Sequence, residues 1–109
     1  MIERRVVLTT QARRDIRQAT AWYRTEGGAL QARRWVDAVE VALRHIGAPP
    51  LTGSTRYAVQ LTLDALRFWP IDSFPYLVFY VERGQQFEVG RVLHMKRDIP
   101  AWLGDEGPR

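Results

Sequence analysis

With two histidines, no cysteine and serines only at Ser54 and Ser73, this chain has few ways to do covalent or metal chemistry. Lacking thiols, it can form no disulfide, thiolate metal site or cysteine nucleophile. His45 and His94 are too far apart in sequence to read as a zinc site, so no cofactor or metal is expected. Both serines sit in turn-forming stretches without a nucleophile-elbow pattern, and Gly27-Gly28 lacks the surroundings of a phosphate loop. One constellation remains: Arg67, His94 and Arg97. Metal-free RNA cleavage needs a base for the 2′-hydroxyl, an acid for the leaving oxygen and a cation for the phosphorane charge, and histidine with arginine can meet those needs. The same residues have a structural reading. His94 lies on a strand whose alternate members Gly90 and Val92 suggest a partly buried face, and Arg97 has carboxylates to pair with, at Asp98 or Glu88. His45, beside Arg44 on a polar helix face, reads as solvated.

The elements that must position these residues follow from periodicity. Arg4–Leu8 is β-branched and opens as a strand. Thr9 or Thr10 can cap a helix running to about Thr25, with Ala12, Ile16, Ala19 and Tyr23 on one face and Arg13, Arg17 and Arg24 on another. Trp22 lies about 60° or more off the apolar stripe and is a candidate for partner contact. Gly27-Gly28 permits a tight turn, and a second helix runs from about Ala29 to Ile46. Its apolar arc holds Ala32, Trp35, Val36, Val39, Ala42, Leu43 and Ile46, so Trp35 reads as core. Gly47 and Pro49-Pro50 end it.

Residues 51–65 give only weak alternation. Strands are then expected at Leu66–Trp69, Tyr76–Val81 and Phe87–His94, joined by turns at Asp72-Ser73 and Glu82–Gln85. A helical turn follows at Asp98-Ile99-Pro100. The expected fold is α+β, in the order β-α-α-β-β-β: an antiparallel sheet packed against an N-terminal helix hairpin. It forms a single domain over residues 1–109, with a short flexible tail from about residue 104.

Charge narrows the partners. The net charge is +4, and Lys96 is the only basic residue other than arginine and histidine. Arginine forks onto carboxylate or phosphate, which suits an acidic protein or a nucleic acid, though so small a net charge does not establish nucleic-acid binding. The apolar run Val6-Val7-Leu8 is too short for a signal peptide, and Tyr76–Val81 is too short to span a bilayer. The expected location is the cytoplasm, away from membranes.

At this point the sequence resembles the ParE/RelE toxin superfamily, and its ParE branch more closely. The resemblance is carried by Ala12-Arg13-Arg14-Asp15-Ile16 with Trp22-Tyr23, and by the amphipathic second helix ending before a Pro-Pro and Gly-Ser loop. It continues in Leu66–Pro70 followed by Phe74–Tyr80, and in Val89–Pro100. It implies the toxin half of a type II toxin–antitoxin pair, neutralised by a ParD-like antitoxin. The ParE branch is associated with poisoning DNA gyrase by binding, with no catalytic residue required. The RelE branch is a ribosome-dependent mRNA endoribonuclease, for which Arg67, His94 and Arg97 would be the catalytic set. Within the ParE reading, Arg97 and Trp102 are the expected target-binding residues: an aromatic anchor beside positive charge. Arg13, Arg17, Trp22 and Arg24 are the expected antitoxin-binding residues.

Overall fold

The computed structural model describes residues 5–48 and 66–99. β1 is Arg5–Leu8, and α1 is a helical stretch, Thr10–Gly47, interrupted at Gly28. β2 (Arg67–Pro70), β3 (Tyr76–Arg83) and β4 (Gln86–His94) complete a four-stranded sheet in the order β1-β4-β3-β2.

Thr9 rather than Thr10 caps α1. Its hydroxyl accepts the Ala12 N–H at 3.1 Å and donates to the Gly90 carbonyl at 2.9 Å, which fastens the helix start to β4. Gly28 adopts φ 83°, ψ 176°, a region that side chains avoid, and there the chain doubles back. The Trp35 indole N–H donates to the Thr20 hydroxyl at 3.1 Å. In an unbroken helix these residues would be about 22 Å apart along the axis, so the two arms form the expected hairpin.

Ala12, Ala19, Tyr23, Trp35, Val39 and Ile46 of the hairpin are buried with Val78, Tyr80, Phe87, Val89 and Val92 of the sheet. Trp35 is core as expected. Val36 is not: it lies at the margin of the apolar arc and is exposed. A second cluster joins Leu66, Leu77, Phe79, Leu93 and Ile99, with Phe68 and Val81 against it.

The α+β fold with an N-terminal helix hairpin stands as expected, with one difference in the sheet. β2, β3 and β4 form an antiparallel meander, but β1 runs parallel to β4, pairing Arg5–Leu8 with Gln86–Val89. A parallel neighbour needs a long crossover, and the hairpin with the two intervening strands supplies it. β3 and β4 also extend further into their connecting turn than the sequence suggests, leaving only Gly84-Gln85 between Arg83 and Gln86. Gly84 takes φ 62°, which suits a two-residue loop with glycine first. Residues 51–65, Trp102 and the tail from residue 104 lie outside the described residues.

Candidate functional site

The site lies where β1 stops short along β4. β1 pairs only as far as Val89, and beyond that point side chains take over the β4 edge. Asp15, on the first helical arm, accepts the Val92 N–H at 2.9 Å and holds Arg91 with both carboxylate oxygens, at 2.8 and 3.1 Å. Two residues on, Asp98 accepts the His94 N–H at 2.9 Å. An unpaired strand edge invites association, and these carboxylates occupy it.

Beside that edge opens a cleft of about 270 Å³, lined by Asp15, Gln18 and Trp22 of the first arm, Tyr76 of β3, and Arg97 and Asp98 beyond β4. Arg97 donates through Nε to Asp98 at 3.0 Å and through Nη2 to the Tyr76 hydroxyl at 3.2 Å. The pairing with Asp98 is one of the structural roles the sequence suggested for Arg97. Burial tends to raise the Asp98 pKa, but the hydrogen bonds from Arg97 and the His94 N–H, with the nearby positive charge, leave it below the ordinary value. The hydrogen bonds to Asp98 and Tyr76 hold the Arg97 pKa above its own. Trp22, half exposed, meets Tyr23 edge to face at 5.1 Å, so it forms a rim of the cleft.

His94 plays a different part. Its Nδ1 accepts the backbone N–H groups of Lys96 and Arg97, both at 3.2 Å, and its ring meets Tyr76 edge-on at 5.1 Å. Because those N–H groups can only donate, Nδ1 carries the lone pair, and the neutral ring has its proton on Nε2. Burial lowers the His94 pKa first, the charges of Arg97 and Lys96 add to that, and Asp98 opposes them. His94 therefore organises the turn that presents Arg97, and its one lone pair is committed to that turn.

The structure separates the three residues that could have formed a nuclease site. His94 and Arg97 are neighbours. Arg67 pairs in register with Tyr80, whereas His94 pairs with Tyr76, two strands away from β2. Standard strand spacings put Arg67 roughly 16 Å from His94, Cα to Cα. Alternation on a strand could not have revealed this, because strand order and register set the distance.

Conversely, the fold brings together residues that the sequence kept apart: Trp22 and Arg97 share one cleft. Arg13, Arg17 and Arg24 are exposed on the first arm and form no ion pair among the described residues. They do not line the cleft. His45 is exposed as expected, but its ring also stacks on Trp69 at 3.8 Å. Sequence reasoning missed the positions of Tyr76 and Asp15 in the site. Asp15 gave one signal: an acid beside the apolar stripe of an otherwise basic arm, where a buried partner is needed.

The family described as "ParE toxin of type II toxin-antitoxin system, parDE" matches residues 6–99. The chain belongs to the ParE toxin family. No curated protein sequence matches it. In structure, this ParE-family chain is similar to a chain described as "Chromosomal ParDE TA system from P. aeruginosa". The TM-score is 0.73 at 12% identity, covering 86% of this chain and 98% of the other. At that identity the likeness speaks for a shared fold. Among the described residues no helix is long and apolar enough to cross a membrane.

Proposed function

We propose that this chain is a cytoplasmic toxin that inhibits DNA gyrase by binding and is neutralised by a cognate ParD-like antitoxin. Membership of the ParE family supports the toxin–antitoxin setting. The observation favouring binding over catalysis is the state of His94: its Nδ1 is committed to two backbone N–H groups, and Arg67 is remote from it. With the His94 lone pair committed and Arg67 remote from Arg97, these residues suit recognition better than phosphodiester cleavage.

In this reading Arg97, with Trp102 beyond it in sequence, faces the target, and Arg13, Arg17, Trp22 and Arg24 face the antitoxin. Because Trp22 and Arg97 border the same cleft, an antitoxin seated on Trp22 would cover Arg97, so neutralisation works by occlusion. The test is induced expression with separate readouts of DNA breakage and mRNA cleavage. Growth arrest with gyrase-dependent DNA breaks is expected. Ribosome-dependent mRNA cleavage without DNA breaks would overturn the reading.

A further inference from the structure

Among the described residues, the cleft contains a hydrogen-bond donor with no acceptor. The Tyr76 side chain is almost wholly buried, with the residue 3% exposed, and its hydroxyl oxygen accepts from Arg97 Nη2. A phenol also has one O–H to donate. Among the described residues no acceptor takes it. The two carboxylates lining the cleft are engaged elsewhere, Asp15 with Arg91 and Val92, and Asp98 with Arg97 and His94. Arg97 likewise has guanidinium N–H groups without an acceptor among the described residues, where only Nε and Nη2 are bonded. The hydroxyl opens on a cleft wide enough for water, so a ligand acceptor seated there would replace water at a donor already held in place by the fold.

We propose that this cleft receives a carboxylate, the side chain of an aspartate or glutamate of the antitoxin, between the Tyr76 hydroxyl and the Arg97 guanidinium. The proposal rests on the antitoxin pairing proposed above and specifies its chemistry. A carboxylate accepts from a phenol and a guanidinium together, and charge-assisted bonds of this kind are the strong ones. A phosphate fits less well: its second negative charge would meet Asp15 and Asp98 on the same walls. Trp22, Ala19 and Val92 provide apolar surface for the stem of an acidic side chain. The exposed guanidinium groups of Arg13, Arg17 and Arg24, which form no ion pair among the described residues, place positive potential around an approaching acidic segment. By engaging Arg97, the carboxylate would also remove the cation that faces the target.

The experiment compares antitoxin affinity for the full-length toxin and two phenol-to-phenyl variants. Tyr76→Phe removes the unmatched O–H and keeps the ring. Tyr80→Phe is the control: Tyr80 is buried on the same strand but does not line the cleft. Tyr76→Phe should weaken binding about tenfold to a hundredfold, the loss expected for a hydrogen bond to a charged group, and Tyr80→Phe by less than about threefold. Each antitoxin Asp and Glu is also changed in turn to Asn or Gln. One of these should weaken binding to the unaltered toxin and have no further effect on Tyr76→Phe. This arm stands even if Tyr76→Phe does not fold, because a scan in which no acidic residue matters overturns the proposal. Inorganic phosphate displacing the antitoxin, with no acidic residue coupled to Tyr76, would make the cleft a phosphate site and equally overturn it. An antitoxin that binds the unaltered toxin and Tyr76→Phe alike refutes the carboxylate and leaves the proposed function intact. An antitoxin that does not bind the unaltered toxin refutes both.

Discussion

Replacing Asp15 by alanine should destabilise the fold more than any other single change at the open edge of β4. The carboxylate is almost fully buried, with its side chain 9% exposed, and it does two things: it accepts the Val92 N–H and it pairs with Arg91 through both oxygens. Losing the acceptor leaves a part-buried backbone donor unmatched, at about 1–3 kcal/mol. The ion pair contributes less than a buried one, because the Arg91 side chain is 30% exposed and water can solvate it; about 1 kcal/mol is appropriate. The two together give about 2–4 kcal/mol, which for a domain of this size lowers Tm by roughly 10–20 °C. Asp15→Asn keeps an acceptor for Val92 but loses the charge and turns the second oxygen, which accepts from Arg91 Nη2, into a donor, so it should cost about 1–2 kcal/mol, less than alanine. Thermal and urea unfolding followed by circular dichroism measure both variants. If Asp15→Ala costs less than about 1 kcal/mol, or no more than Asp15→Asn, the carboxylate does not plug the strand edge and the reasoning fails.

Three further outcomes follow from the same geometry. His94→Asn, whose Oδ1 can replace Nδ1 as acceptor for the Lys96 and Arg97 N–H groups, should retain growth arrest, and a folded His94→Ala should keep most of it; loss on the order of a hundredfold in an RNA-cleavage assay would instead mark a catalytic histidine. Because His94 is held below its ordinary pKa of 6.5, the folded chain favours the neutral ring; its contribution to stability is full above that value and declines as pH falls through it. Unfolding compared at pH 7.5 and 5.5 should show a larger loss for the parent than for His94→Asn, and equal losses would contradict the assignment. Gly28→Ala should cost about 1–3 kcal/mol in stability purely through backbone strain, since φ 83° disfavours a side chain while no atom lies within 4 Å of the added methyl; an unchanged urea midpoint would show that the break tolerates any residue.

Much of this architecture was legible in the sequence because it is written in local periodicity. Ala12, Ile16, Ala19 and Tyr23 repeat at helical spacing. Gly27-Gly28 marks the reversal and Thr9-Thr10 the region of the cap, and Tyr76–Val81 has the β-branched and aromatic makeup of a strand. The exposure of Trp22 and the burial of Trp35 followed from the same wheel, while Val36, at the margin of the arc, showed how little an angular position decides at a boundary. Family membership was readable too, because the order and spacing of these pieces are carried by the chain itself. What the sequence could not supply was which strands are neighbours and in what register. The parallel pairing of β1 with β4, the separation of Arg67 from His94, and the meeting of Asp15 with Arg91 and of Trp22 with Arg97 all join residues far apart in the chain. Such contacts leave no local pattern, since they are fixed by how the hairpin packs on the sheet and where β1 ends. The Tyr76 hydroxyl, unmatched among the described residues, belongs to the same class: a tyrosine in a strand says nothing of its acceptor until the packing around it is known.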